Sequence, residues 1–382
     1  IMQICYWCPF LTHIATIDAV KNSAVSLRKY SKNSHSLKIK ILNSYGEWSF
    51  YKNNNDNISV HNLQKRNFFK IMPKEGFLLS KLTFIIVFLL NIVPLIKFVK
   101  KEKPDFLIIH LLTILPIILS PILSKHTKII LRISGLPNMH FLRSFFWRFF
   151  SQYIHQITTP TILTKNFLIE KKIFQKEKVS LLRDPIINCQ NVGILKKDII
   201  YDMPTNDKFY LSIGRLTSQK NFDFLINHFA KNIDKFNIKK LIIIGSGEEF
   251  QNLRKTIFNN NAQNNIFLLG FRKNIYPYLN KCSAFISTSK YEDPGFAILE
   301  ACYLKKKVVT SIVNNGPLEM YKNSDMCYFF EQNNEHDFVN QLIISEKDND
   351  SKIKIIKAIR YVKEFTLFSH YKILNKLIRQ CI

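Results

Sequence analysis

Acidic side chains are scarce in this chain. Its 382 residues hold 28 Asp and Glu against 55 Lys and Arg, a formal net charge of +27 with the histidines neutral. Such an excess points to an anionic partner, either nucleic acid or an acidic membrane face, or to a general bias of composition, since Lys, Ile and Asn recur throughout. The lysines are spread rather than interleaved with aromatics and no nucleic-acid motif appears, which sets nucleic acid aside. Cysteine is equally thin. Seven are scattered from Cys5 to Cys381; an odd, dispersed set excludes a disulfide framework and indicates a reducing compartment. Cys5-Tyr6-Trp7-Cys8 has no second pair to complete a zinc site. No basic leader precedes an apolar run at the start, so no signal peptide is expected. The most apolar tract, Leu82 to Ile96, carries no charge over fifteen residues. It is short for a bilayer span and is interrupted by Asn91 and Pro94.

What is present concentrates between Ser287 and Asn315. An apolar strand (Ala284, Phe285, Ile286) ends in small polar residues, Asp293-Pro294-Gly295 signals a helix start, and the helix hands over to a strand at Val308-Val309. Glu292 precedes the helix and Glu300 lies eight positions on, about two turns, so both can face one ligand. Pro294 at the first helical position costs nothing, Gly295 lets a ligand approach the backbone, and the amides of Gly295 and Phe296 can meet an anion. Asp293 competes for those amides if its side chain caps the helix. Upstream, the strand Tyr210–Ile213 runs into Gly214-Arg215-Leu216-Thr217-Ser218-Gln219-Lys220 and a helix with apolar residues at Phe222, Leu225, Ile226 and Phe229. One forked guanidinium, Arg215, plus one flexible ammonium, Lys220, suits a diphosphate.

Four blocks in order, G-R-L-x-x-Q-K, I-I-I-G-S-G-E-E, F-L-L-G-F and S-K-Y-E-D-P-G-F-A-I-L-E-A, resemble the nucleotide-binding half of the family 4 retaining glycosyltransferases. The resemblance implies an α/β protein of the GT-B fold: two Rossmann-like domains whose parallel sheets face a central cleft, and a C-terminal helix that crosses back to the first domain. It implies an E-x7-E pair in Glu292 and Glu300, with Glu300 on the ribose and Glu292 nearer the sugar. Arg215 and Lys220 fall to the diphosphate, helped by Gly214, Gly295, Phe296 and Ala297; Phe271 and Arg272 fall to the base, and Glu319 to the loop and helix after the next strand. No metal or cofactor is implied.

The domain reading is 1–190 for an N-terminal acceptor-binding domain, 191–207 for a linker, 208–360 for the nucleotide-sugar domain and 361–382 for the crossover helix. In the first half, strands are expected at Met2–Tyr6, Lys38–Leu42, Pro104–His110, Lys128–Leu131 and Val179–Leu182. The family's Gly-rich turn after the first strand is replaced by Thr12-His13-Ile14-Ala15-Thr16, which leaves a phosphate contact to a side chain such as Thr16. The loop where relatives place a functional His carries Ser134, with His140 six residues on; His110 ends a strand. The tract Leu82–Ile96, flanked by Lys74, Lys81, Lys97, Lys100, Lys101 and Lys103, suits either a helix lying on an anionic membrane or one buried against the sheet. The aromatic helix Phe141–Tyr153 reads as core or as a membrane or acceptor contact. Asp348-Asn349-Asp350 reads as a solvated turn.

These features lead to a retaining, metal-independent transferase that moves a sugar from a nucleotide-diphosphate donor to a lipid-linked or glycan acceptor in bacterial surface polysaccharide assembly, such as capsule or lipopolysaccharide. It is expected in the cytoplasm, held peripherally at the inner face of the membrane. The alternatives are another nucleotide-sugar enzyme of the same fold, an epimerase or phosphorylase, or a non-catalytic membrane-binding relative.

Overall fold

Short runs of Ile, Val, Leu and Phe that are apolar on both faces, such as Lys240–Ile244 (K-L-I-I-I), form strands buried from two sides, as parallel sheets require. The structure is a computed structural model and describes residues 2–11, 15–32, 36–51, 58–73, 77–323, 325–348 and 350–381. The chain divides into two compact units, residues 1–185 with 367–382, and residues 186–366.

The first unit carries strands β1 (Met2–Trp7), β2 (Leu37–Asn43), β3 (Ile58–Asn62), β4 (Phe106–Ile109), β5 (Lys128–Arg132), β6 (Gln156–Thr159) and β7 (Val179–Leu181). They pair in parallel in the order β3-β2-β1-β4-β5-β6-β7. Its helices are α1 (Ala15–Tyr30), α2 (Phe77–Glu102), α3 (Ile114–Leu123), α4 (Phe141–Phe150) and α5 (Ile162–Glu170). Alternate strand residues serve two cores. Trp7, Leu107, Ile109 and Leu131 pack under α2, α3, α4 and α5, whereas Tyr6, Ile39, Ile41 and Ile108 pack under α1 and the last helix of the chain, Leu367–Cys381.

The second unit begins with α6 (Cys189–Leu195), so the stretch 191–207 read as a linker opens inside a helix. Then come β8 (Phe209–Ile213), α7 (Phe222–Lys231), β9 (Lys240–Ile244), α8 (Phe250–Asn259), β10 (Ile266–Leu268), α9 (Tyr276–Lys281) and β11 (Ala284–Ser287). After these follow α10 (Phe296–Tyr303), β12 (Lys307–Ile312), α11 (Gly316–Asn323), β13 (Tyr328–Glu331), α12 (Glu335–Lys347) and α13 (Lys352–Val362); the Leu367–Cys381 helix is α14. The parallel order is β10-β9-β8-β11-β12-β13. Sequence order reverses between β8 and β11, so the loops after these two strands part at that point and leave a crevice at the strands' carboxyl ends.

The apolar runs Phe209–Ile213, Leu241–Ile244, Ile266–Leu269, Ala284–Ile286, Lys307–Thr310 and Cys327–Phe330 mark all six strands of this second sheet to within about two residues at each end. The first sheet holds two strands the pattern did not reveal. In β3 only Ile58 is buried, and β6 reads Gln-Ile-Thr-Thr, its threonines buried. The expected loop Lys52–Asn57, the residues Thr12 to Ile14, Lys74 and Asn349 lie outside the described residues.

Candidate functional site

Five loops of the second unit leave the carboxyl ends of β8, β9, β10, β11 and β12, and every block of the sequence signature sits on one of them. The loop after β8 is shaped by glycine. A Cβ on Gly245 would stand 1.8 Å from the Gly214 carbonyl oxygen, and one on Gly247 2.4 Å from that of Leu216. The bonds Leu216 N–H to Ser246 O (2.9 Å) and Gly245 N–H to Gly270 O (3.0 Å) tie the three turns together. Lys220 closes the loop with its stem against Gly214.

The loops after β8 and β11 are then stitched across the switch point. Lys290 N–H donates to Gln219 O (2.8 Å), the Gln219 amide to Tyr291 O (3.0 Å), and the Thr288 hydroxyl to Asn221 O (3.1 Å). That stitching brings Lys220 Nζ to 2.6 Å from Glu292 Oε1, and Ser289 Oγ donates to the same oxygen at 2.6 Å. The two side chains are largely buried, at 18% and 9% exposure. At that depth the ion pair outweighs a surface one, and losing one partner strands the other charge.

The helix start differs from the expected geometry. Gly295 occupies the cap position with φ of 94° and α10 begins at Phe296, so Pro294 lies before the helix rather than at its first turn. Gly295 has no side chain with which to cap α10. Asp293 instead accepts a bond from the Asn315 amide at 2.7 Å. Phe296 and Ala297 are half-buried in the first turn, where backbone N–H groups and the helix dipole favour an anion. The turn rests on α11: a Cβ on Gly316 would stand 1.7 Å from the Pro294 carbonyl oxygen.

The remaining expected residues occupy varied positions. Arg215 is exposed on the loop that holds Lys220. Glu300 is half-buried and accepts from the Tyr276 hydroxyl at 2.8 Å. Phe271 is 69% exposed at the tip of the β10 loop, after Gly270 with φ of 75°. Arg272 is clamped by Asp202, the Leu269 carbonyl (2.7 Å) and Tyr278. The Tyr278 hydroxyl and the Arg272 charge hold the Asp202 carboxyl below its ordinary range. Glu319 is buried and accepts from Tyr361 at 3.1 Å, an inward position in α11. Asp348 likewise accepts from the Tyr328 hydroxyl at 2.6 Å. Ser289, Gly316, Asp202 and Tyr276 escaped the sequence reading; the S-T-S run three residues before Glu292 was the one local hint.

In the first unit Thr16 is half-buried in the opening turn of α1. His110, at the end of β4, is buried, and burial beside the Arg132 charge pushes its imidazole well below the ordinary histidine range. Ser134 follows β5 with a buried hydroxyl, and the cap residue of α4 is His140. Arg132 pairs with Asp184 near His110. Burial also raises the thiols of Cys5, to about 12, and of Cys8, which suits packing rather than redox work. Among the described residues no group of three or more His, Cys, Asp or Glu stands close enough to hold a metal ion.

Residues 196–362 match the family described as Glycosyl transferases group 1. The matched residues fall within the second unit. An uncharacterized glycosyltransferase of Methanocaldococcus jannaschii is 27% identical over 252 residues, 59% of this chain and 60% of the relative. A Campylobacter jejuni N-acetylgalactosaminyltransferase, named for a diphospho-undecaprenol-linked acceptor, is 25% identical over 57% of this chain and 60% of its own. The match thus spans about 60% of the length of each of these two relatives. Among solved structures, a Rickettsia africae glycosyltransferase superposes over 100% of this chain and 98% of its own with TM-score 0.77 at 15% identity. An Anabaena protein in complex with UDP and glucose does so over 99% of both chains with TM-score 0.71 at 14% identity. The fold is GT-B: two Rossmann-like units, each with a parallel sheet.

Proposed function

We propose that the protein is a retaining glycosyltransferase of bacterial glycan assembly, which moves a sugar from a nucleotide-diphosphate donor to a lipid-linked or glycan acceptor. The observation that carries this reading is the Lys220–Glu292–Ser289 cluster at the switch point, beside the start of α10 at Gly295. A departing nucleoside diphosphate gains negative charge as the glycosidic bond loosens. Lys220, Arg215 and the amides at Gly295, Phe296 and Ala297 are the cationic and dipolar groups that answer it. Lys220 and Ser289 both bond Glu292 Oε1, and neither bonds Oε2; a carboxylate so held orients sugar hydroxyls and stabilises oxocarbenium character. In front-face attack it need not be a nucleophile. Glu300 takes the ribose hydroxyls, and the backbone at Phe271 with the clamped Arg272 takes the base.

The Anabaena neighbour's UDP and the Campylobacter relative's lipid-linked acceptor lend support to this donor and acceptor class. On this reading the chain works at the cytoplasmic face of a membrane and needs no metal. Transfer from a panel of nucleotide sugars is the test. Arg215→Ala and Glu292→Ala should each lower it by at least about a hundredfold, a few kcal/mol of transition-state stabilisation, and chelator should leave the wild-type rate unchanged. Full activity in either variant overturns the assignment. Epimerised or phosphorolysed product would replace the transferase reading, and donor binding without turnover would leave a non-catalytic relative.

A further inference from the structure

Helices α2, α3 and α4 lie side by side over one face of the first sheet, and each turns an apolar stripe outward. On α2 the stripe runs through Leu82, Ile85, Leu89 and Val93, with Leu89 60% exposed. The spacing of three and four residues makes this one continuous edge of the helix. Ile114, Ile118 and Ile122 repeat the pattern on α3. On α4, Phe141, Phe145 and Phe149 do the same, at 83%, 64% and 53% exposure. Monomeric proteins rarely expose so much contiguous apolar surface without a use for it.

The charges around the stripes identify what covers them. Lys81, Lys97, Lys100, Lys101, Arg143 and Arg148 are exposed on the same helices, whose one acidic residue, Glu102, is paired with Lys40 at 2.8 Å. A second copy laid on this face would oppose cations to cations. An anionic bilayer complements both the stripes and the rim.

We propose that the α2–α3–α4 face is a membrane-docking surface that seats the first unit on anionic lipid, with α2 lying in the plane of the interface rather than crossing the bilayer. At 26 residues, about 39 Å at 1.5 Å per residue, α2 is long enough to cross. Its opposite face prevents this: Leu95, Phe98 and Val99 pack with Trp7 and Leu107 in the core. Asn91, buried midway, donates to Val87 O at 2.8 Å. A crossing helix would surrender that packing and bury the polar Asn91 among lipid tails. The proposal extends the membrane part of the function above and is independent of the transfer chemistry.

Flotation with phosphatidylglycerol vesicles, compared with phosphatidylcholine vesicles, tests it. The wild type should float with the anionic vesicles at low salt, weaken several-fold at high salt as the charges are screened, and come off in alkaline carbonate. Phe141→Ser with Phe145→Ser, and separately Ile114→Ser with Ile118→Ser, should lower partitioning at least about tenfold. Their nucleotide affinity should stay unchanged and their urea midpoints should move little, because these side chains are exposed, at 83% and 64% for the phenylalanines and 51% and 40% for the isoleucines. Lys97→Glu with Arg143→Glu should remove the preference for anionic lipid. Three results overturn the proposal: no flotation on anionic vesicles, resistance to carbonate extraction, which makes α2 a span, or a wild-type dimer that the serine variants dissociate.

Discussion

Glu292 receives both the Lys220 ammonium and the Ser289 hydroxyl on one oxygen, so charge and shape can be separated there by substitution. Glu292→Gln keeps the volume and an acceptor for both neighbours but removes the negative charge, and it leaves Lys220 free to meet phosphate. Steady-state kinetics should show kcat reduced about a hundredfold or more, with donor affinity held within a few-fold, the pattern of an interaction realised in the transition state. Gly316→Ala probes the same turn from behind. The added Cβ meets the Pro294 carbonyl oxygen at 1.7 Å, a backbone atom that can yield only by moving the turn carrying Glu292 and Gly295. The variant should melt several degrees lower and bind donor at least tenfold more weakly, roughly 1–3 kcal/mol in each. The ionic residues of this turn were legible because residue type and spacing specify them. The packing of Gly316 against Pro294 was not, since nothing in the letters Asn-Asn-Gly-Pro says which backbone will lie over that glycine.

Elements read well where burial was uniform and poorly where it was mixed. In the second sheet β8, β9 and β11 are near-continuous apolar runs buried on two faces, so composition alone marks them. In strand β6 the Thr159 hydroxyl donates to Thr161 O (3.3 Å), the Thr158 hydroxyl is buried with no hydrogen-bond partner among the described residues, and Gln156 bonds Ser180 on β7; a polar strand of that kind has no local signature. Helix α4 shows the opposite ambiguity. Its aromatics have helical spacing, which the sequence reading took for core or for a contact surface; Trp147 alone is fully turned inward while Phe141, Phe145 and Phe149 face outward. Helix α14 also makes the stability of the first unit depend on pH through His370. His370 Nδ1 donates to Arg183 O (2.7 Å), which fixes the tautomer, so Nε2 accepts from the Ser23 hydroxyl (2.8 Å), and that oxygen also meets the Tyr6 hydroxyl (2.9 Å). Burial pushes His370 down to about 3, against about 6.5 in the unfolded chain. The unfolded state therefore binds the extra proton between these values. Its stabilising share is complete above about pH 6.5 and is lost as pH falls toward 3, at about 1.4 kcal/mol per pH unit. His110, lowered in the same way by burial, adds to the slope. Urea midpoints followed by tryptophan emission should fall steeply from pH 6 to pH 4, and His370→Gln should flatten that limb while lowering the plateau at neutral pH.

At the scale of the whole chain, the first unit is discontinuous and the second is not. The backbone leaves the first unit at Pro185, completes residues 186–366 as a separate unit, and returns as α14. That return supplies five buried side chains, Leu367, His370, Leu374, Leu377 and Ile378, with Leu374 and Ile378 in the core shared by β1, β2 and α1. At about 1.5–3 kcal/mol for each fully buried apolar side chain, the helix contributes on the order of 10 kcal/mol, comparable to the whole stability of a domain. The cores of the second unit include no residue of α14. A chain ending at Thr366 should accordingly lose the first unit and keep the second. The three tryptophans make this measurable, for Trp7, Trp48 and Trp147 all belong to residues 1–185 and all are buried. In the truncated chain their emission should shift to that of solvent-exposed indole. Circular dichroism should retain the helix and sheet of residues 186–366, and nucleoside diphosphate binding should survive within a few-fold. Leu374→Ala, costing about 2–5 kcal/mol, should lower the tryptophan-reported transition and leave nucleotide affinity unchanged. Loss of nucleotide binding in step with tryptophan exposure would instead make the two units a single cooperative body.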